Sequence, residues 1–169
     1  MILLKRELGS INIIAENLGF LTNDVEKLIS KTGYPGMNIL QFAFDSNSKN
    51  RYLPHNYIRN SVVYTGTHDN DTIIGWFNNQ DEYKNNFVKQ YAGITEDNEY
   101  NWEMIRLAYS SISDLVMIPM QDFLGLHSEC RMNAPSSKQG NWRWRILNNE
   151  ISSKLAERIK SLSDLYGRV

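Results

Sequence analysis

Short apolar runs alternate with stretches of helical periodicity along most of the chain. The runs are continuous and rich in β-branched residues, and they predict strands over residues 11–15, 38–44, 61–66 and 114–120. Apolar residues that recur at helical spacing predict helices over residues 24–31, 80–91, 97–111 and 149–165. Residues 1–8 are interpreted as the last turns of another helix, which stops at Gly9 and Ser10.

The strand pattern indicates an α/β fold. Continuous apolar runs are typical of strands buried on both faces of a parallel sheet, and helices between such strands are typical of βαβ units. Each predicted strand ends in polar or acidic residues. In α/β barrels and open α/β sheets, functional residues lie at the carboxyl ends of the strands. We therefore expect the functional site at that edge of the sheet.

Composition is that of an ordinary domain. The chain has 169 residues, of which 41% are hydrophobic and 22% charged, which is enough for one core in a single domain over residues 1–169. A net charge of −1 argues against nucleic-acid or anionic-membrane partners. No apolar run approaches the ~20 residues that a membrane span needs. The lone Cys130 and a charged start unlike a signal peptide favour a cytoplasmic protein.

Glu16 directly follows the first apolar run. At the mouth of a sheet with apolar walls, partial exclusion of water would disfavour the charged carboxylate, as a general acid requires. The alternative is an acid that caps the following turn. Position alone does not decide between the two.

Residues His68, Asp69, Asn70 and Asp71 follow the third predicted strand in a row. They fit metal binding, hydrogen bonding to a hydroxyl-rich ligand, or a polar turn that caps the next helix. Metal binding is disfavoured because adjacent side chains do not readily converge on one ion, and no further His or Cys cluster completes a site. We therefore expect no metal and no cofactor.

The long polar loop over residues 121–144 ends in Trp142, Arg143 and Trp144. This alternation fits a stacking ladder that packs the loop, grips sugar faces or stacks on bases, although no basic surplus supports the last. Cys130 lacks a partner motif and is interpreted as a bystander. His55 and His127 have no clear companions and are interpreted as structural.

Nucleophile-elbow, Walker and dinucleotide fingerprints are absent from the sequence. Two separated acids at strand ends, surrounded by amides and aromatic residues, suit chemistry on polyhydroxylated substrates. Several motifs together resemble the 4-α-glucanotransferases, also called amylomaltases or disproportionating enzymes (glycoside hydrolase family 77). They span nearly the whole chain, in order: residues 13–19 (IIAENLG), 35–37 (PGM), 40–44 (LQFAF), 52–56 (YLPHN), 64–72 (YTGTHDNDT), 131–133 (RMN) and 140–144 (GNWRW).

The resemblance implies the C-terminal half of a (β/α)8 barrel, with strands five to eight and their helices. It implies transfer of α-1,4-glucan segments between maltooligosaccharides through a covalent glycosyl-enzyme. By the resemblance, Glu16 is the general acid/base and Asp69 stabilises the transition state. His68, Phe42 and Asn133 would then contact or line the sugar site.

The sequence departs from the family pattern at two places. Asn17 stands where the family usually has Asp, and the family's nucleophilic Asp has no counterpart among the 15 residues before Glu16. The resemblance therefore implies a C-terminal portion that is inactive alone and that pairs with an N-terminal half or self-associates through unpaired strand edges. The alternatives are a noncatalytic glucan-binding module, and hydrolysis rather than transfer.

Overall fold

The fold is built on a small parallel sheet. The computed structural model describes residues 6, 7, 9, 11–95 and 99–168. In these ranges the sheet has three strands, β1 (Gly36–Ile39), β2 (Ser61–Tyr64) and β3 (Leu115–Met117), in the order β1-β2-β3. Both strand pairs are parallel. The strand order shows that each strand lies beside its predecessor in the sequence. The predicted α/β fold with a parallel sheet is confirmed.

The first predicted strand is much shorter than expected. Over residues 11–15 the structure has a single parallel bridge, between Ala15 and Gly36, and the Ala15 amide donates to the carbonyl of Pro35 at 2.8 Å. Ile11 and Ile14 are exposed, at 37% and 40%. Among the described residues this segment has a neighbour on one side only, so the apolar run does not extend into a paired strand.

Six helices and three 3-10 turns are assigned in the described ranges. The helices are α1 (Asn23–Thr32), α2 (Ile73–Asn78), α3 (Glu82–Ala92), α4 (Tyr100–Ser110), α5 (Met120–Phe123) and α6 (Ser153–Leu165). The 3-10 turns are Leu40–Phe42, Pro54–Asn56 and Ser128–Cys130.

Four of these helices match predicted ones, although their ends differ. The last begins at Ser153, later than predicted, because the Ser152 side chain caps it by accepting from the Leu155 amide. Helix α2 was not predicted, and neither was α5. The helix end predicted over residues 1–8 lies, apart from Arg6 and Glu7, outside the described residues.

The core lies on one face of the sheet, and helix α4 is at its centre. Helix α4 contacts α2, α3, α5 and α6. The predicted stripe of Trp102, Ile105 and Tyr109 is buried on this helix. On the opposite face of the sheet, Leu115 and Met117 are each 50% exposed. One face of the sheet is therefore covered. The other face borders the cleft described below and is open only at β3, because Ile39 and Val62 on the same face are fully buried.

No helix in the described part of the chain is long and apolar enough to cross a membrane.

Candidate active site

A cleft of about 920 Å³ lies where the strands end. Glu16, Phe42, His68 and Asp69, four of the five predicted site residues, line it. The fifth, Asn133, contacts Asp69 directly, because its side-chain amide donates to Asp69 Oδ1 at 2.6 Å. The structure therefore brings together residues that are far apart in the sequence, as expected for the carboxyl edge of a parallel sheet.

Asp69 is held on one side and open on the other. Besides Asn133, His68 Nε2 lies 3.3 Å from Asp69 Oδ1, and Arg131 donates to the backbone carbonyl of Asp69 at 3.0 Å. The Asp69 side chain is still 52% exposed. A carboxylate that is oriented by neighbours and still accessible is suited to accept hydrogen bonds from a hydroxyl-rich ligand.

The rest of the polar run shapes the loop. Asn70 Oδ1 accepts from the amide and the hydroxyl of Thr67, at 2.9 and 2.8 Å, and so closes the turn over residues 67–70. Asp71 accepts from the Ser128 hydroxyl at 2.7 Å and from the Thr72 amide at 2.8 Å. Asn70 and Asp71 border the cleft, but their side chains are used within the protein.

Thr72 closes the loop as the N-cap of α2, with its side chain accepting from the Gly75 amide. The turn-and-cap interpretation is therefore correct for the second half of the run, while His68 and Asp69 face the cleft. In the described ranges, no group of three or more His, Cys, Asp or Glu side chains is placed to hold a metal ion.

Glu16 follows the single bridge to the sheet and is fixed through its neighbour. Asn17 Oδ1 accepts from the Met37 amide at 2.7 Å, which ties this segment to β1. Glu16 lies close enough to Tyr64 for its charge, after burial, to contribute to raising the pKa of the Tyr64 hydroxyl. Glu16 is itself exposed, so the described residues do not supply the enclosed, apolar surroundings that the sequence predicts.

Phe42 forms the end of the 3-10 turn Leu40–Phe42, directly after β1. Its ring packs edge-on against Tyr52, with centroids 5.5 Å apart. One part of the half-buried ring is thus anchored by the loop after β1, and another part lines the cleft.

The structure separates the two tryptophans of the predicted ladder. Trp142 lines the cleft, is 54% exposed and packs against His68 with ring centroids 5.0 Å apart and the ring planes tilted by 38°. Its φ of 62° is unusual for a residue with a side chain, and its amide donates to the Met132 carbonyl at 2.7 Å. Trp144 is half-buried near Cys130, so the packing interpretation fits Trp144 and not Trp142.

Two side chains at the cleft lie within motifs noted in the sequence, which predicts no site role for either of them. Arg131 holds the Asp69 carbonyl, and its Nη1 lies 3.9 Å from Asp71 Oδ2. Tyr64 ends β2 and lines the cleft. For Tyr64, position at the end of a strand is a signal that the sequence already contained.

The remaining sequence expectations examined in the structure concern the Cys130 thiol and the His55 ring. Burial, followed by the negative charge of Glu129, raises the pKa of the Cys130 thiol, which is unfavourable for a nucleophile. His55 has a structural environment, with its ring nitrogens at 2.8 Å from the Tyr91 hydroxyl and the Ser48 carbonyl.

Comparison with known proteins gives a consistent result. The family model described as 4-α-glucanotransferase matches residues 1–150. The chain is 47% identical over 167 residues to the 4-α-glucanotransferase of Clostridium butyricum, covering 98% of this chain and 34% of that protein. It is 42% identical over 168 residues to the 4-α-glucanotransferase of Thermus thermophilus, covering 95% of this chain and 34% of that protein.

Solved structures agree with the sequence relatives. Amylomaltase from Streptococcus agalactiae in complex with acarbose superposes with a TM-score of 0.93 at 34% identity, covering 96% of this chain and 33% of that chain. Amylomaltase from Corynebacterium glutamicum, at 16% identity and a TM-score of 0.71, shares the fold. The chain spans about a third of the length of the relatives it matches. On the family model and these identities, the chain belongs to the 4-α-glucanotransferase family.

Proposed function

We propose that this chain supplies the acid/base and a stabilising carboxylate to a retaining 4-α-glucanotransferase acting on α-1,4-glucans and maltooligosaccharides. The observation that carries the proposal is that Glu16 and Asp69 line the same cleft at the carboxyl edge of a parallel sheet. Membership of the family and the acarbose complex of the amylomaltase from Streptococcus agalactiae support a glucan substrate.

Glu16 acts first as an acid and then as a base. Its carboxyl group donates a proton to the glycosidic oxygen as the donor bond breaks, and its carboxylate then takes the proton of the incoming acceptor hydroxyl. Because Glu16 is exposed to the cleft, its carboxyl group is accessible to the glycosidic oxygen of the donor and to the hydroxyl oxygen of the acceptor.

Asp69 stabilises the charge that develops on the donor sugar. Asn133 and His68 orient its carboxylate, and the exposed oxygen accepts hydrogen bonds from sugar hydroxyls. Such bonds strengthen as positive charge builds on the ring in the oxocarbenium-like transition state. His68 contributes a further polar contact to the same sugar.

The nucleophile of this reaction comes from residues outside this chain. A retaining mechanism uses two carboxyl groups about 5–5.5 Å apart, with one attacking the sugar. Asp69 matches the stabiliser, so it does not fill that role. We therefore propose that this chain has no transfer activity alone, and that it forms strands five to eight of a (β/α)8 barrel. The strand order, in which each strand lies beside its predecessor, supports the second statement.

Binding of acarbose to this chain tests the proposed function. Isothermal titration calorimetry should give saturable binding for the wild type and at least about tenfold weaker binding for Asp69→Ala, the loss expected when hydrogen bonds to a charged group disappear. Asp24→Ala, which removes a 96% exposed carboxylate from α1, is the matched control and should bind like the wild type. Equal affinity for all three proteins would refute the assignment of Asp69.

A second candidate, a noncatalytic glucan-binding module that self-associates, is favoured by the open face and edge of the sheet. Among the described strands, β3 lies at an edge, and its Leu115 and Met117 are half-exposed. Unpaired edges with apolar neighbours promote pairing between chains. Light scattering after size-exclusion chromatography would show a dimer or larger species for this candidate.

A further inference from the structure

A buried carboxylate connects the two ends of the loop that carries Asp69. Asp122 lies in α5, just after β3, and is 1% exposed. Its Oδ2 accepts from the Thr65 hydroxyl at 2.6 Å, and its Oδ1 accepts from the Ile73 amide at 2.8 Å. Thr65 and Ile73 flank residues 66–72, which we call the Asp69 loop.

Asp122 itself is held firmly by the core. The Asn101 side-chain amide, on the central helix α4, donates to the Asp122 backbone carbonyl at 2.8 Å. The neighbouring Gln121 donates to the Cys130 carbonyl at 3.2 Å, close to Arg131 and Asn133 that support Asp69 from the other side. The Asp122 carboxylate therefore links the Asp69 loop to the core helix α4 through hydrogen bonds.

Stability does not account for a charge at this position. Burial raises the pKa of Asp122 from 3.8 to about 6, opposed by the hydrogen bonds from Thr65 and Ile73 and helped by the charge of Asp71. Asp71 is the charged group that acts on it from the loop, and Arg131 lies next to Asp71; from α4 the contact is the neutral Asn101. Because the Asp122 carboxylate is costly to bury and accepts a hydrogen bond at each oxygen, we interpret its role as fixing the positions of Thr65 and Ile73.

We propose that Asp122 is a positioning residue that fixes both ends of the Asp69 loop, and thereby holds the Asp69 carboxylate in the cleft. The structural part of this inference concerns the loop alone. Its consequence for substrate rests on the proposed function, which it deepens by adding a residue that acts through Asp69.

Hydrogen exchange of the 169-residue chain, followed by mass spectrometry, tests the structural part without any sugar. In Asp122→Ala, amides of residues 66–75 should exchange at least about tenfold faster, because two hydrogen bonds to a charged acceptor are lost. Asp122→Asn should restore slow exchange, since the amide oxygen accepts from Ile73 and the amide nitrogen donates to the Thr65 hydroxyl.

Two further variants separate positioning from general destabilisation. Thr65→Val removes one of the two tethers with little change of volume, and should give a smaller, loop-confined acceleration even if Asp122→Ala does not fold. Ser113→Ala removes a buried hydrogen bond to Ser61 at the opposite end of the strands, 2.8 Å long, and should leave the loop unchanged. Equal acceleration throughout the chain in Thr65→Val, or no acceleration in its loop, would overturn the proposal.

Acarbose titration of the same variants tests the consequence. If the wild type binds, Thr65→Val should bind several-fold more weakly and Asp122→Asn like the wild type; equal binding by Thr65→Val would overturn the link to Asp69. If the wild type does not bind while the exchange results are as expected, the proposed function fails and the tether stands.

Discussion

Replacement of Asp122 by Asn should change how the stability of the chain depends on pH. A carboxyl pKa raised from 3.8 to about 6 means that, between these values, the folded state binds more protons than the unfolded state. The free energy of unfolding therefore falls as pH rises through this window. One pKa unit corresponds to about 1.4 kcal/mol, so the charged carboxylate costs about 3 kcal/mol at pH 7.

Asp122→Asn keeps the shape and both hydrogen bonds but carries no charge. The free energy of unfolding of the variant, relative to the wild type, should therefore increase by about 2 kcal/mol between pH 4.5 and pH 7. Urea unfolding monitored by circular dichroism at both pH values measures this difference, and titrating groups that do not interact with Asp122 cancel between the two proteins, whereas Asp71 is coupled to it. A relative stability that does not change with pH, or that falls toward pH 7, would refute the reasoning.

Three other predictions concern the cleft and the open sheet. Trp142→Gly should weaken acarbose binding by about tenfold in calorimetry, because an exposed aromatic face is lost from the cleft, while the backbone strain at φ 62° of about 1 kcal/mol is relieved. Asn133→Ala should weaken acarbose binding several-fold by freeing the Asp69 carboxylate, with unchanged binding as the contrary result. If the chain self-associates, Met117→Lys should shift it to monomer in light scattering, because a charge then occupies the open face.

The location of the site at the carboxyl ends of the strands could be predicted from the sequence, because it depends on patterns within short segments of the chain. Continuous apolar runs ending in polar residues placed His68 and Asp69 at the carboxyl end of β2, where the structure has them. The same reasoning predicts too long a strand before Glu16, where the structure has one bridge. Strand pairing there depends on neighbouring strands, and the apolar content of the segment does not reveal them.

The hydrogen bonds by which Asp122 holds the Asp69 loop could not be predicted from the sequence, and the reason is physical. Asp122 meets Thr65 and Ile73 across 57 and 49 residues, and no periodicity or spacing encodes such a contact. Trp142 and Trp144 also look equivalent in the sequence. Only the backbone turn at Trp142 separates the ring that lines the cleft from the ring that packs beside Cys130.

The role of Glu16 is tested most directly in a chimera. This chain would replace the matching third of the Clostridium butyricum 4-α-glucanotransferase, to which it is 47% identical, and glucose release from maltotriose would be measured. The isolated chain should release no glucose, and the chimera should be active. Glu16→Gln should lower its kcat at least about 100-fold, whereas Glu157→Gln, on the exposed side of α6, should not. A chimera that keeps its activity with Glu16→Gln, or glucose release by the isolated chain, would contradict the account.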